Sequence, residues 1–183
     1  ETRMSELFDT ALNLEDVPMS REALVAAVRQ ADVLVPTVTD RIDADLIAAA
    51  GPQLGLIASF GAGVDHIDLG AARAKKIIVT NTPSVFTDDT ADLTMALIIG
   101  VPRRLREGTS LIRRGEWTGW APSALLGRKL AGKVLGIVGM GRIGQAIARR
   151  GAHGFGMKVI YHNRSKLAPE LEAECKASYV DKA

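Results

Sequence analysis

Short apolar runs alternate with stretches of helical spacing along most of the chain, the pattern of an α/β protein built on parallel sheets. Residues 32–36 (DVLVP), 54–60 (LGLIASF) and 77–81 (IIVTN) read as strands. Helical stretches separate them at 43–50, closed by Gly51, and at 67–75. From 90 to 114 the spacing stays helical. Asp89 stands in the N-cap position with Asp92 three residues on, and Pro102 is expected to kink or divide the segment. A loop carrying Trp117 and Trp120 follows at 115–122. Beyond Lys133 the alternation resumes, with a buried strand at 134–138, a helix at 142–153 and Gly156 as a left-handed terminator. A strand at 158–161, a helix at 169–177 with Pro169 in its first turn, and the start of a strand at 178–180 complete the pattern.

The sequence Gly139-Met140-Gly141-Arg142-Ile143-Gly144 joins the strand at 134–138 to the helix behind it. GxGxxG in that context is a dinucleotide-binding fingerprint, and each glycine has a reason. Gly139 allows the tight turn, Gly141 lets a pyrophosphate approach the backbone, and Gly144 lets helix and strand pack closely. The amides of Arg142 and Ile143, at the positive end of the helix, would hold phosphate oxygens. Nineteen residues past Gly144, where an Asp or Glu would bind the ribose 2′-hydroxyl of NAD, stand Asn163-Arg164-Ser165. Neutral Asn163 removes the repulsion of a 2′-phosphate, Arg164 offers a guanidinium fork and Ser165 a hydroxyl, with Lys166 as a second positive charge. NADP, as NADPH, is therefore expected over NAD; a solvated loop of unimportant charges is the alternative.

Composition narrows the rest. The 183 residues carry 23 Lys and Arg against 21 Asp and Glu, a net charge of +2, and are 47% hydrophobic. This excludes a disordered tail or a disulfide-stapled peptide, and gives no footprint for nucleic acid or an anionic membrane. No apolar run approaches the roughly 20 residues of a membrane span. A single cysteine, Cys175, fits a reducing compartment, and a cytoplasmic location is expected. His66, His153 and His162 lack metal-ligand spacing, so no metal is expected.

Four stretches point further: FGAGVDHIDL at 60–69, NTPSVFTDDTADLTMALI at 81–98, LGIVGMGRIGQAIARR at 135–150 and VIYHNRS at 159–165. Together they resemble the D-isomer-specific 2-hydroxyacid dehydrogenase family, and within it the NADP-preferring glyoxylate/hydroxypyruvate reductase branch. The resemblance implies a flavodoxin-like substrate domain at 1–88, without its N-terminal strand. It also implies the front half of a Rossmann-type dinucleotide-binding domain at 89–183, so that both domains are incomplete. Backbone amides of Ala62 and Gly63 would bind the carboxylate of a 2-oxo acid at the interdomain cleft. Thr90 would approach the cofactor, and Trp120 would reach into the neighbouring active site of a homodimer. Without the resemblance, a plain turn, a first-turn helix position and ordinary loop packing account for the same residues. Ser84 and Lys76 stand where the family often has glycine. Gly151, in the helix after the fingerprint, is expected to weaken it by ~1 kcal/mol.

In the family an Arg holds the substrate, and a Glu–His pair supplies the proton as hydride reaches the carbonyl carbon. All three are expected downstream of Ala183, and none of the histidines present is assigned catalysis. The resemblance thus implies an oxidoreductase that reduces glyoxylate, hydroxypyruvate or a similar 2-oxo acid with NADPH. The chain is expected to be a fragment of it, inactive and poorly folded alone. A dinucleotide-sensing binding protein of the same fold is one alternative. Another family dehydrogenase, such as one acting on phosphoglycerate, is a second, although Asn163 stands where such enzymes usually carry an acid.

Overall fold

In the computed structural model, which describes residues 2–14 and 17–181, the apolar runs form two separate three-stranded sheets, each wholly parallel. The chain divides into two units, Glu1–Pro83 and Ser84–Ala183.

The first unit runs α1 (Thr2–Leu7), α2 (Arg21–Gln30), β1 (Val33–Leu34), α3 (Ala44–Ala49), β2 (Leu56–Ala58), α4 (Leu69–Ala74) and β3 (Ile78–Thr80). Its sheet has the order β1-β2-β3, with Val33 opposite Leu56 and Leu56 opposite Ile78. Sequential parallel strands joined by right-handed crossovers put both connecting helices on one face. That face holds the core, where Leu24, Val28, Leu46, Ile47 and Ala72 of the helices meet Leu34 and Ile57 of the sheet. The other face is open to solvent at Val33 and Ile78.

Hydropathy alone leaves 21–30 unassigned, yet α2 forms there. Ser20 caps it by accepting from the Ala23 amide at 3.2 Å, and Leu24 and Val28, one turn apart, supply its buried edge. Aspartates cap the next two helices in the same way: Asp43 accepts from the Leu46 amide (3.0 Å) and Asp68 from the Ala71 amide (2.8 Å). The strands are shorter than the apolar runs that announce them.

The second unit runs α5 (Thr87–Gly100), α6 (Leu105–Arg113), β4 (Val134–Val138), α7 (Arg142–Arg149), a π-helical turn (Arg150–Gly154), β5 (Lys158–His162), α8 (Pro169–Cys175) and β6 (Ala177–Tyr179). Its strand order is β4-β5-β6. Met140, Ala148, Val159, Tyr161 and Cys175 make the core on the helical side.

One expectation holds here and two change. The long helix is indeed divided, with α5 ending before Pro102 and Arg104 at a left-handed φ of +56°. Asp89 is not its cap: Phe86 holds that position, with no side-chain capping hydrogen bond, and Asp88 and Asp89 lie in the first turn, where they complement the helix dipole. β4 is not buried throughout. Leu135 and Ile137 pack on the core, while Val134 and Val138 point the other way, Val138 being 88% exposed. Period-two side-chain alternation with helices on a single face produces this result.

Candidate functional site

The fingerprint forms a tight turn from β4 into α7. Gly139 has φ +96°, a conformation that favours glycine, and its amide donates to the His162 carbonyl at 2.9 Å. The C-terminal ends of β4 and β5 are thereby fastened side by side. Met140 is buried beneath the turn, and the Gln145 side-chain amide donates back to its carbonyl at 3.1 Å. A Cβ on Gly144 would press into the Gly139 carbonyl, so this glycine allows the helix to start against the strand. Gly141 differs. It is the N-cap, at φ −76° and ψ −163°, and a Cβ there would meet nothing within 4 Å. The first intrahelical bond is Gln145 N to Gly141 O (2.9 Å), which leaves the Arg142 and Ile143 amides without helical partners.

Gly151 has a packing role beside the weakening expected of it. It lies buried in the π-helical turn, and a Cβ on it would come within 2.8 Å of Leu135 Cδ2. Its missing side chain lets α7 close on β4.

At the end of β5, the Asn163 amide donates to the Ser165 carbonyl at 3.1 Å, drawing 163–165 into a compact turn. Arg164 and Ser165 are exposed, and the Arg164 guanidinium has no partner among the described residues. Lys166 is committed elsewhere: its ammonium pairs with Glu172 at 3.5 Å, so the basic site reduces to Arg164. Tyr161, fully buried, bounds this turn. Its hydroxyl donates to Glu172 Oε1 and accepts from the Leu167 amide, both at 2.8 Å. Burial pushes the phenol above its ordinary range, and the Glu172 carboxylate adds to the rise.

Thr90 is exposed in the first turn of α5, its amide donating to Phe86 O at 3.0 Å. Arg150 fastens that turn to the end of α7, donating to Asp88 (3.0 Å) and Asp92 (2.7 Å); both bonds raise the guanidinium pKa. Sequence reasoning missed Arg150, because its partners lie about 60 residues away. Trp117 and Trp120 do not pack into the loop that carries them; Trp120 is 83% exposed.

In the first unit, the loop Gly61-Ala62-Gly63 follows β2. The Thr82 amide donates to Gly61 O (2.9 Å), and the Asn81 side-chain amide to Ala62 O (2.7 Å). Buried Ser59 and His66, on either side of the loop, lie in hydrogen-bond contact at 3.3 Å. Thr82 Oγ1 is the one buried side-chain oxygen without a partner among the described residues. His153 bonds the Glu174 carbonyl (2.8 Å) and His162 the Val180 carbonyl (3.0 Å), so all three histidines have structural partners. No helix among the described residues is long and apolar enough to cross a membrane.

Comparison with known proteins agrees with this arrangement. The profile of the family "D-isomer specific 2-hydroxyacid dehydrogenase, catalytic domain" matches residues 2–179. A glyoxylate reductase of Thermococcus litoralis is 50% identical over 165 residues, 88% of this chain and 49% of the relative. A solved glyoxylate reductase from Paecilomyes thermophila superposes with a TM-score of 0.77 at 36% identity, covering 89% of this chain and 51% of that one. D-lactate dehydrogenase from Aquifex aeolicus, complexed with NAD and lactic acid, gives 0.78 at 28% identity, covering 98% and 52%. The chain spans about half the length of these relatives. By this match over nearly all of its length, the chain belongs to the D-isomer-specific 2-hydroxyacid dehydrogenase family.

Proposed function

We propose that the whole protein reduces glyoxylate, hydroxypyruvate or a related 2-oxo acid to the D-2-hydroxy acid, with NADPH as the electron donor. Residues 1–88 serve as the substrate domain in this reading and 89–183 as the front of the dinucleotide domain. The observation that carries it is Gly141. Its backbone angles suit any residue, and no protein atom lies within 4 Å of where a Cβ would sit. At a helix N-cap, Ser, Thr or Asp would add a hydrogen bond that glycine lacks. The fold itself therefore gives no reason for glycine, whereas a pyrophosphate drawn against the backbone does.

The remaining roles follow from chemistry. Amides of Arg142 and Ile143 hold the pyrophosphate oxygens. The Arg164 fork and the Ser165 hydroxyl hold the 2′-phosphate, which uncharged Asn163 does not repel. Thr90 lies against the cofactor. When bound, the nicotinamide supplies a hydride to the carbonyl carbon of the 2-oxo acid. Amides of Ala62 and Gly63 orient that acid by its carboxylate. No residue of 1–183 is assigned the proton transfer. The glyoxylate reductases among the relatives support the substrate class. The protein acts as a homodimer in which Trp120 reaches the partner's site, within a reducing compartment such as the cytoplasm.

Calorimetric titration of the full-length protein with NADPH and NADH tests the reading. Gly141→Ala is expected to leave the melting temperature within a degree or two while weakening both dinucleotides about 10-fold or more. Arg164→Ala is expected to weaken NADPH about 10-fold and leave NADH nearly unchanged. Equal losses for the two coenzymes would overturn the NADPH preference; unchanged binding by Gly141→Ala would overturn the site.

A further inference from the structure

The loop after β2 is held by its carbonyls. Thr82 N takes Gly61 O, and Asn81 Nδ2 takes Ala62 O, so two consecutive peptide units are tied toward the segment that follows β3. No cis peptide bond occurs among the described residues, and in a trans peptide the C=O and N–H point in opposite directions. The N–H sharing a peptide plane with Gly61 O is that of Ala62, and the one sharing a plane with Ala62 O is that of Gly63. Fixing these two carbonyls therefore turns the Ala62 and Gly63 amides together, away from residues 81 and 82.

We propose that Asn81 is a positioning residue for substrate, aiming the Gly63 amide at the carboxylate through its hydrogen bond to Ala62 O. This rests on the reading that Ala62 and Gly63 bind the carboxylate. The two ties differ in kind. The Thr82–Gly61 bond is backbone to backbone and survives any side-chain change. Among the described residues, the Ala62–Gly63 peptide is held by this one side chain, at 2.7 Å. Around it the frame is stiff: a Cβ on Gly61 would collide with Val38 Cγ1, and Ser59 meets His66 across the base of the loop. Without Asn81 the frame stays, and the Ala62–Gly63 plane becomes free to rotate. A carboxylate would then have to order that plane on binding, so affinity falls while the fold does not.

The test is a titration of the 15N-labelled full-length protein with oxalate, following the Ala62 and Gly63 amide resonances. In the natural sequence both are expected to shift saturably. Asn81→Ala is expected to weaken oxalate about five- to tenfold, leave other amides and the melting temperature nearly unchanged, and broaden the Gly63 resonance. Asn81→Gln, which restores a carboxamide donor, is expected to recover at least half of the loss. Should Asn81→Ala not fold, Asn81→Ser, whose hydroxyl is too short to reach Ala62 O, takes its place. Saturable shifts of equal affinity with and without the Asn81 carboxamide would overturn the positioning role and leave the carboxylate reading standing. No saturable shift in the natural sequence would overturn that reading and the proposal with it.

Discussion

Lys76 shows how a single residue departs from what its backbone asks of it. It follows the last turn of α4 at a φ of +60°, with its amide bonded to Arg73 O (3.0 Å) and the next amide, of Ile77, to Ala72 O (2.9 Å). That is the paired-bond helix stop that glycine fits best, because an L side chain in the left-handed region costs about 1–2 kcal/mol. Lys76→Gly is expected to stabilise the chain by about 0.5–1 kcal/mol, less than the full strain because glycine gains entropy when unfolded. A urea unfolding midpoint moved upward checks it, and a downward shift counts against the argument. Ser84, also at a position where the family often has glycine, is likewise left-handed, at φ +76°. Both are legible in the sequence once the family's glycines are in mind. The role of Gly151 is not: read locally it is a helix breaker, and only the approach of Leu135 from a neighbouring strand explains it.

Elements are joined by charges that a hydropathy reading does not weigh. Asp43 caps α3 and receives Arg21 of α2 at 2.6 Å and Arg41 at 3.2 Å. The Arg21 hydrogen bond, then the Leu46 amide, hold its carboxyl below the ordinary aspartate range. A depressed folded pKa means that the contribution is present above the unfolded value and is lost as pH falls through the folded one. Asp43→Asn keeps a competent cap and removes only the charge. The difference in melting temperature between the two proteins is therefore expected to be widest at neutral pH and to shrink below pH about 4. A gap independent of pH would show that the ion pairs contribute nothing. The strands and helices that carry the fingerprint are readable because their signals are local: an apolar run, a glycine turn, a helical spacing. α2 and the start of α5 are harder. Ser20 announces the first only once its capping bond is seen, and the second starts on Phe86 without any side-chain cap.

For the whole molecule, what the sequence could not convey is which apolar faces remain open. β4 reads as a buried strand because both of its faces are apolar, with Leu135 and Ile137 on one and Val134 and Val138 on the other, yet Val134 and Val138 are exposed. Leu93, Leu97, Val101 and Leu105 of the α5–α6 region are exposed as well, as is Trp120. These exposed aliphatic and aromatic side chains are what the proposed homodimer would bury. Light scattering behind size exclusion is expected to give a dimer, and Trp120→Ala to shift it toward monomer at micromolar concentration; a monomer throughout would remove the proposed homodimer. The chain covers about half the length of its relatives, so this measurement belongs with the protein at its full extent as well as with these residues.

Tyr161 gives the turn at 163–166 two fixed abutments. One is the strand end itself; the other is the Leu167 amide, locked to the buried hydroxyl. Between them Arg164, Ser165 and Lys166 are exposed and Asn163 is half-buried. On the proposed reading, coenzyme preference and structural integrity therefore rest on different residues. Natural drift, or a laboratory library, would then be able to rewrite the short span between the abutments and change the coenzyme at little cost to the sheet that carries it.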